Sequence, residues 1–390
     1  MMNPFGSNYL ILGLMKNIIC VLVCMAMITV AFAQKEKWQK GVVRDEFIFD
    51  SAPFPESHAS TIAETPAGLI AAWFGGTKER NPDVEIWLSR QQKSKWTKPV
   101  SVANGIVNDT LRYACWNPVL YQVPGGDLLL FYKVGPNVAG WKGFMKTSSD
   151  NGLTWSAARS LEEGFLGPIK NKPVMLPNGN LIAPSSTEGN GWKVHFEISS
   201  NKGRTWRKVG PINDGKTLSA IQPSILRYKD GRIQILTRSK DRAILESWSS
   251  DNGETWSPLS KSALPNNNSG TDAVTLKNGT QLLVYNHVYP HDSSKNGKGA
   301  RTPLNIAVSK DGKRWYAATI LEDSPVSQYS YPSVIQSKDG MVHIVYTWRR
   351  QKIRYVKIDP SKLVMKEIVN GQWPDMKGYQ PPKGNELTSD

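Results

Sequence analysis

Apolar runs that meet at tight turns recur six times along this 390-residue chain. In each unit, two apolar runs flank a short turn that contains glycine. Four of the turns hold Asn-Gly or Asp-Gly, a strong hairpin signal because tight hairpin turns need positive φ at their central residues. The pattern therefore predicts six β-hairpins and no long helix. They lie at residues 60–72, 118–132, 173–183, 223–236, 273–285 and 332–346.

A second motif, Ser-x-Asp-x-Gly-x-Thr-Trp, separates the hairpins, and we call it the Asp-box turn. Residues 148–155 and 249–256 carry it complete, and residues 199–206 carry Asn201 in place of the aspartate. Residues 309–315 are one residue shorter, and residues 89–96 keep little beyond their ends. The five terminal tryptophans recur every 50 to 59 residues, a period typical of a four-stranded propeller blade. The predicted fold class is all-β, a six-bladed β-propeller whose Asp-box turns are structural.

The propeller is predicted to occupy residues 34–370 as one domain. Residues 41–49 precede the first hairpin and are predicted to pair with the last blade, which closes the ring and removes an exposed edge. Residues 371–390, with Pro381-Pro382 and Gly384, are predicted to form a loose tail.

Residues 1–33 are predicted to be a cleavable signal peptide. Lys16 precedes the apolar run of residues 18–30, and Ala31-Phe32-Ala33 forms a small-x-small cleavage site. Met15 begins a complete signal by itself and is a candidate for the true start. The expected location is therefore the periplasm or the cell exterior.

Charge and cysteine content indicate the kind of partner. Lys16 is the only charged residue of the signal peptide, so the mature chain has a net charge of +15 − 1 = +14, which favours acidic ligands. Scattered basic residues in an exported propeller indicate an acidic carbohydrate rather than nucleic acid. Only Cys115 remains after cleavage, so no intramolecular disulfide is possible. No His or Cys pair has ligand spacing, so no cofactor or metal is predicted. A monomer without membrane insertion is expected.

Function is expected where the blades differ, at one mouth of the central channel. Aligning the hairpins selects one residue at the entrance of each innermost strand, seven to ten residues before the turn glycine. Convergent polar groups in a concave place are the default candidate for a binding site. The six residues are His58, Asn117, Lys172, Gln222, Asp272 and Tyr331.

The returning strands, the third strands and one loop of the first blade supply further candidates at the same mouth. Because a strand alternates its faces, about half of them are expected to point away. They are Glu79, Asp83, Glu188, Arg238, Asn286 and Arg301.

The Asp-box turns on a six-bladed propeller resemble those of the sialidases and of the wider group of proteins with this repeat, over residues 40–360. The resemblance implies a tyrosine nucleophile, an aspartate acid/base in a loop of the first blade, and three arginines that bind the carboxylate of sialic acid. By position, Tyr331 matches the nucleophile and Asp83 the acid/base. Arg238 and Arg301 match two of the three arginines.

Two positions depart from the family's pattern. His58 stands where the first arginine is expected, and Gln222 stands where a glutamate activates the tyrosine. Because glutamine cannot take the proton of Tyr331, the tyrosine needs another base, with Asp272 and His58 as candidates. A histidine also offers no bidentate fork to a carboxylate, and Lys172 would restore some positive charge.

Three function classes follow from the sequence. The first is an exo-acting glycosidase of sialidase type on a terminal acidic sugar, with Asp83 as the acid and Tyr331 as the nucleophile. The second is a lyase acting on uronic acids, in which cationic side chains neutralise the carboxylate and His58 or Tyr331 removes the adjacent proton. The third is a non-catalytic propeller that binds acidic glycans. Only the lyase would form an unsaturated product that absorbs in the ultraviolet.

Overall fold

The chain folds into six antiparallel β-sheets that form the blades of a propeller, which confirms the predicted fold class. The computed structural model describes residues 38–324, 326 and 328–374. Residues 38–40 form a turn that belongs to a separate unit, and the propeller begins at Gly41.

Parts of the predicted domain plan lie outside the described residues. These parts are the signal peptide of residues 1–33 and residues 375–390 of the tail. In the part of the chain that is described, no helix has the length and apolar character needed to cross a membrane.

Each blade begins with an innermost strand and steps outward strand by strand. Blade 1 has a fifth strand, β6, which pairs with β4, and blade 5 has a fifth strand, β28. Three short 3-10 helices lie at Val138–Gly140, Lys295–Gly297 and Pro360–Lys362. In chain order the strands are β1 Val42–Phe47; in blade 1, β2 Glu56–Thr65, β3 Gly68–Gly76, β4 Glu85–Gln92, β5 Lys95–Trp96 and β6 Val100–Ala103; in a separate hairpin, β7 Ile106–Asn108 and β8 Leu111–Arg112; in blade 2, β9 Cys115–Gln122, β10 Leu128–Val134, β11 Lys142–Ser148 and β12 Arg159–Ser160; in blade 3, β13 Val174–Met175, β14 Leu181–Thr187, β15 Lys193–Ser199 and β16 Arg207–Val209; in blade 4, β17 Ala220–Arg227, β18 Ile233–Ser239, β19 Ala243–Ser249 and β20 Ser260–Pro265; in blade 5, β21 Asp272–Thr275, β22 Gln281–Tyr285, β23 Leu304–Ser309 and β24 Tyr316–Glu322; in blade 6, β25 Tyr329–Gln336, β26 Val342–Trp348 and β27 Lys352–Ile358; and last β28 Lys366–Glu367.

The ring closes by pairing of the first strand with the last blade. Strand β1 is the outermost strand of blade 6 and runs antiparallel to β27, with Phe47 opposite Arg354. The Arg354 guanidinium donates two hydrogen bonds to the Asp45 carboxylate, at 2.5 and 2.9 Å. Innermost strand β2 contacts both β9 and β25. The predicted closing strand is therefore confirmed.

The fold continues a few residues beyond its predicted end. Strand β28 pairs with β24, and Val369 forms a bridge with Gln372. The Gly371 carbonyl accepts a hydrogen bond from His287 Nε2 at 2.9 Å, and Trp373 is buried. Residues 371–373 are therefore packed rather than loose, because an aromatic side chain there is removed from water.

Apolar side chains pack between neighbouring blades, and the Asp-box tryptophans extend these interfaces. Ile70 of blade 1 packs with Leu120 and Leu130 of blade 2, and Trp155 lies against the same cluster. Trp256 of blade 4 packs in the same way against a cluster of blades 3 and 4 and stacks on Phe196 at 4.1 Å between ring centroids. In blades 2 and 4 the Asp-box tryptophan therefore packs against the preceding blade.

The Asp-box aspartate holds its turn by accepting hydrogen bonds from the residues that follow it. Asp150 accepts from the backbone N–H of Leu153 at 3.1 Å and of Thr154 at 2.9 Å, while Ser148 Oγ accepts from Gly152 N at 2.8 Å. The side-chain bond from Thr154 is the largest cause that lowers the pKa of Asp150 to about 2. Asn201 accepts the corresponding bond from Thr205 N at 2.9 Å. The predicted structural role of these turns is confirmed.

A β-bulge interrupts the innermost strand of four blades at the same position. Each bulge contains one residue with positive φ, a conformation that costs roughly 1–3 kcal/mol for residues other than glycine. In all four blades this residue lies nine positions before the turn glycine. The residues are Ala59 (φ 55°), Asn117 (φ 33°), Gln222 (φ 56°) and Tyr331 (φ 52°).

The same count of nine corrects the predicted ring in three blades. In blades 3 and 5 the residues nine positions before the turn glycines Gly179 and Gly279 are Lys170 and Gly270, not Lys172 and Asp272. In blade 1 the residue is Ala59, and His58 pairs with Phe74 one position before the bulge. A spacing of seven to ten residues does not define equivalent positions, because one or two positions along a strand change the face or the depth of a side chain.

Candidate functional site

A cleft of about 260 Å³ opens at the channel mouth beside the bulges. Its walls also include the loop of residues 77–83 and three tryptophans. Seven of the residues selected from the sequence line it. They are His58, Glu79, Asn117, Glu188, Gln222, Arg238 and Tyr331.

Tyr331 is the side chain on which the other polar groups of the cleft converge. Its hydroxyl oxygen accepts a hydrogen bond from Arg238 Nη1 at 2.6 Å and a longer one from Gln222 Nε2 at 3.4 Å. The Arg301 guanidinium lies 5.8 Å from the centroid of its ring. Asn268 Oδ1 accepts from Arg238 Nε at 2.9 Å and fixes that guanidinium. The structure thus places both predicted arginines beside the predicted nucleophile.

Gly270 gives Gln222 and Tyr331 room to meet. A Cβ atom added at Gly270 would lie 3.1 Å from Gln222 Oε1 and 3.4 Å from Tyr331 Cδ2. Gln222 Oε1 is buried and has no hydrogen-bond partner among the described residues. The amide therefore lies beside the tyrosine, where a carboxylate would be able to accept its proton.

His58 is buried next to Tyr331, in surroundings that favour its neutral form. The two ring centroids are 4.2 Å apart, and His58 Nδ1 lies 2.9 Å from Thr347 Oγ1. Burial lowers the pKa of His58 well below its usual value, and the positive charges of Arg350 and Arg301 lower it further. A neutral imidazole cannot replace an arginine as a partner for a carboxylate, although it can accept a proton.

Arg350 brings a third guanidinium to this region and was missed by the sequence analysis. It is buried, forms an ion pair with Glu79, and accepts a backbone hydrogen bond from Ser57 N at 2.7 Å. Glu79 lines the cleft. Its position in the sequence, just after β26, indicates a place near the channel mouth. Arg238, near the end of the returning strand β18, lies at the mouth for the same reason.

Asp83 does not line the cleft in this structure. Its carboxylate accepts hydrogen bonds from Thr77 N at 2.8 Å and Thr77 Oγ1 at 2.9 Å, and so ties the two ends of the loop of residues 77–83 together. Glu79 and Arg80 are the residues of this loop that line the cleft.

Lys172, Asp272 and Asn286 lie away from the cleft. Lys172 Nζ is 2.7 Å from Asp272 Oδ2, which also accepts a hydrogen bond from Val334 N at 2.8 Å. Asp272 is thus held by an ion pair and is not beside Tyr331 as its base. Asn286 Nδ2 donates to two backbone carbonyl groups, at 2.8 and 3.0 Å. These residues connect blades inside the ring.

Lys170, which stands in blade 3 where four other blades have their bulge residue, adds a buried amine to the channel. Its Nζ donates to Asn171 Oδ1 and the Thr271 carbonyl, each at 2.9 Å, and to the Pro332 carbonyl. Nζ lies 5.7 Å from the centroid of the Tyr331 ring. Burial lowers the pKa of Lys170 to about 7.

Three tryptophans give the cleft aromatic walls. Trp116 and Trp141 have ring centroids 5.4 Å apart, and Trp192 carries two cations over its ring, Arg238 at 5.0 Å and Lys240 at 4.4 Å. Aromatic surface together with a few fixed polar groups is typical of small-molecule sites. No group of three His, Cys, Asp or Glu side chains in the described part of the chain is arranged to hold a metal ion.

Comparison with known proteins gives one family match and several similar folds. A family model described as a BNR repeat-like domain matches residues 67–344. No curated protein sequence matches the chain.

The similar solved structures include sialidases. A protein of unknown function from Dyadobacter fermentans has a TM-score of 0.66 and 16% identity, covering 82% of this chain and 99% of that chain. The intramolecular trans-sialidase from Ruminococcus gnavus has a TM-score of 0.63 and 14% identity, covering 83% and 99%. The NanB sialidase from Streptococcus pneumoniae has a TM-score of 0.62 and 14% identity, covering 82% and 71%. At these identities the likeness shows the fold.

Proposed function

This chain belongs to the family of proteins with a BNR repeat-like domain, and on that premise we propose that it is an enzyme that cleaves a terminal acidic sugar from a glycan at Tyr331. The observation that carries the proposal is the convergence of Arg238, Arg301 and Lys170 on the ring and hydroxyl of Tyr331. Positive groups held in a partly dry cleft bind an anionic ligand strongly.

The carboxylate of the sugar is proposed to bind the guanidinium groups of Arg238, Arg301 and Arg350. These come from blades 4, 5 and 6, so their positions are fixed by three separate sheets. Arg350 supplies the third positive charge, which neutral His58 does not. Glu79 orients Arg350 through their ion pair.

Tyr331 is proposed to act as the nucleophile. Tyr331 gives its phenol proton to the neutral His58 beside it, and its oxygen forms a bond to the anomeric carbon while the bond from that carbon to the leaving oxygen breaks. An acid gives a proton to the leaving oxygen. In the second step the deprotonated acid takes a proton from water, the water oxygen bonds to the anomeric carbon, the bond from that carbon to the Tyr331 oxygen breaks, and Tyr331 takes its proton back from His58. The hydrogen bond from Arg238 stabilises negative charge on the phenol oxygen before the attack.

The loop of residues 77–83 is proposed to supply the acid. Asp83 fits the order of residues in the related enzymes, whereas Glu79 is the carboxylate of this loop that lines the cleft. Single substitutions separate the two roles. Asp83→Asn should lower kcat for poor leaving groups most strongly if Asp83 gives the proton, while Glu79→Gln should chiefly raise KM because it releases Arg350.

A screen of the purified protein against acidic glycans tests the proposal. We expect release of a reducing acidic sugar without any change in ultraviolet absorbance. Tyr331→Phe should lower kcat at least a hundred-fold, since the covalent step needs the hydroxyl. Tyr228→Phe is the matched control, because that hydroxyl bonds Gln234 outside the cleft, at 2.6 Å. Full turnover by Tyr331→Phe would refute the nucleophile.

A lyase acting on uronic acids is the second candidate, and the neutral His58 beside Tyr331 favours it. In that reaction a base takes the C–H proton next to the carboxylate, the electron pair forms a carbon–carbon double bond, and the leaving oxygen departs with a proton. The product then absorbs in the ultraviolet. Binding of an acidic glycan without either product, unaffected by Tyr331→Phe, would instead indicate a sugar-binding propeller.

A further inference from the structure

A second cavity lies at the opposite mouth of the central channel. It has a volume of about 630 Å³, which is within the range of small-molecule sites. Its walls come from the ends of the innermost strands and from the hairpin turns of blades 2 to 6, whereas the cleft lies where those strands begin. The two cavities share no lining residue. Ile335, which lines the second cavity, follows Tyr331 by four positions in β25, roughly 13 Å along a strand.

Buried polar side chains bond across the channel between the level of Tyr331 and the level of the second cavity. Lys170 Nζ, in blade 3, donates to the Thr271 carbonyl of blade 5 at 2.9 Å. Asp272 Oδ1 accepts from Ser224 Oγ of blade 4 at 3.1 Å, and its Oδ2 pairs with Lys172 Nζ of blade 3 at 2.7 Å. The second cavity is therefore a place of its own rather than the floor of the cleft.

Aliphatic side chains supply the inner wall of the second cavity. Five of them come from the innermost strands of four blades, and the unbranched thioether among them adapts to the shape of an apolar ligand. An alkyl chain gains free energy when it leaves water for such a wall. A sugar would instead bury hydroxyl groups without hydrogen-bond partners, which costs free energy. The five are Val174, Met175, Ile225, Val274 and Ile335.

Cationic side chains stand at the rim, where the innermost strands end and their turns begin. Arg227 Nη1 donates to the Met175 carbonyl at 3.1 Å, and Lys277 Nζ donates to the Lys338 carbonyl at 2.6 Å. Both bonds go to neutral acceptors of neighbouring blades, so they hold the side chains in place without neutralising them. A guanidinium has five N–H donors and an ammonium has three, so each group keeps donors for an anionic ligand.

The charge of this rim is not offset by carboxylates. All charged side chains that line the second cavity are positive, and of these only Lys172 pairs with a carboxylate among the described residues, that of Asp272. The adjacent acidic residue Asp230 pairs with Arg232 instead. An anionic head group is therefore favoured at this mouth. The lining cations are Lys172, Arg227, Lys229 and Lys277.

We propose that the second cavity binds a free amphipathic anion, an alkyl chain that ends in a carboxylate. The chain lies against the aliphatic wall, and the carboxylate accepts hydrogen bonds from Arg227 and Lys277 at the rim. The ligand comes from solution rather than from a membrane surface, because none of the exposed large apolar side chains in the described part of the protein lines this mouth. This binding site does not depend on the proposed reaction at Tyr331.

Calorimetric titration with three probes tests the proposal. Octanoate carries both the chain and the charge, 1-octanol carries the chain alone, and acetate carries the charge alone. We expect octanoate to bind about ten-fold or more tightly than either of the others, because a charge-assisted hydrogen bond contributes about this factor and the chain contributes separately. No binding of octanoate, or equal affinity for octanoate and 1-octanol, would overturn the proposal.

Lys277→Met places the binding at this mouth. It should weaken octanoate binding about ten-fold and leave the binding of 1-octanol unchanged, since only the charged contact is lost. Lys310→Met is the matched control, because Lys310 is exposed in the Asp-box turn of the same blade and does not line the cavity. Equal octanoate affinity in the two variants would contradict the assigned site.

Two further measurements test the wall and the source of the ligand. Met175→Trp fills the cavity with a larger side chain and should abolish octanoate binding, while an unchanged thermal midpoint verifies the fold. Octanoate binding that persists in this variant would refute the role of the aliphatic wall. The wild type should not sediment with phosphatidylglycerol vesicles. Sedimentation that is lost in Lys277→Met would overturn the assignment of a free ligand in favour of a membrane surface.

Discussion

Single residues at the channel mouth give the site its chemistry, while the backbone beneath them repeats. In four blades the bulge contains a residue other than glycine with positive φ. Functional sites often retain strained backbone conformations of this kind. Two of them, Gln222 and Tyr331, meet through a hydrogen bond of 3.4 Å. The bulge therefore orients these two side chains toward each other. We expect a different side chain at either position to change the chemistry of the site while the fold stays the same.

Gln222→Glu is predicted to raise the rate of the proposed glycosidase reaction. The substitution places a carboxylate oxygen near the position of Gln222 Nε2, which is 3.4 Å from the Tyr331 hydroxyl oxygen. A general base in such a position typically raises a rate by a factor on the order of 10²–10⁴. We expect kcat on a sialoside to rise at least ten-fold, measured from pH 5 to 8. Gln222→Ala removes the amide without adding a base and should not raise kcat. If Gln222→Glu does not exceed the wild type, the missing carboxylate does not limit the reaction.

Lys170→Met is predicted to change the pH dependence of stability. Burial lowers the pKa of Lys170 from 10.5 to about 7 and acts in the same way on Lys133. Between pH 7 and 10 the unfolded chain therefore binds more protons than the folded one, so the free energy of unfolding rises with pH in this window. Denaturant unfolding at several pH values measures this slope. In Lys170→Met the free energy of unfolding should rise less steeply with pH, by the amount that about one bound proton contributes.

Lys133→Met serves as the companion variant to this measurement. It should remove a similar share of the rise, and the double variant should remove both shares. A rise as steep as that of the wild type in Lys170→Met would show that its amine does not titrate in this window.

The sequence indicated most of the residues at the mouth but not all of their roles. Tyr331, Gln222 and Arg238 came from position relative to the turn glycines, because the spacing is constant where the bulge is constant. Lys172 and Asp272 lie two positions beyond the residues equivalent to the bulge, and their side chains form an ion pair inside the ring. The pairing of Arg350 with Glu79 was not readable from the sequence, because it joins residues 271 positions apart.

At the scale of elements, the Asp-box turn does two things: its side-chain hydrogen bonds close the turn, and its glycine packs against the preceding blade. Gly253 has φ of 84°, and a Cβ atom added there would lie 2.7 Å from Ile182 Cδ1 of the preceding blade. The hairpin and Asp-box signals were readable from the sequence because they are local. Strand β28 was not, because its two residues pair with β24, about fifty positions earlier.

Gly253→Ala is predicted to destabilise the protein more than Gly179→Ala. Both glycines have similar positive φ, 84° and 83°, so both substitutions cost roughly 1–2 kcal/mol of backbone strain. Only Gly253 also meets a neighbour, and overpacking adds about 1–3 kcal/mol. Urea unfolding of the two variants measures the difference.

A second substitution identifies the cause of that difference. Ile182→Val removes the Cδ1 methyl group that the new Cβ would meet. In the Gly253→Ala background it should recover part of the lost stability, whereas alone it should cost about 0.5–1.5 kcal/mol. Additive losses would mean that the contact with Ile182 is not the source.

At the scale of the whole molecule, closure of the ring depends on one short strand. Strand β1 comes from the start of the propeller and completes a blade whose other strands lie more than 280 residues later. Without it, β27 would present an unpaired edge, which invites pairing with other chains. The closing strand was predictable because it is an apolar segment without a hairpin of its own.

Replacing residues 42–47 with an equally long Gly-Ser-Pro segment is predicted to lower the thermal midpoint and to cause aggregation. Such a segment has weak strand propensity, and its prolines donate no hydrogen bonds to β27. Static light scattering during a thermal scan measures both effects. The same segment in place of residues 106–111 is the control, because that hairpin lies outside the six blades. Equal behaviour of the two variants would contradict a closing role for β1.

The ion pair between Glu79 and Arg350 joins the first blade to the last, across the same seam that β1 closes. Tyr331 and His58 also belong to these two blades and meet across it. A chain still emerging from synthesis, or one truncated before residue 328, thus has no assembled site even when its earlier blades are formed. The proposed enzymatic activity should therefore appear as the last event of refolding, after the tryptophan fluorescence of the blades has reached its final value.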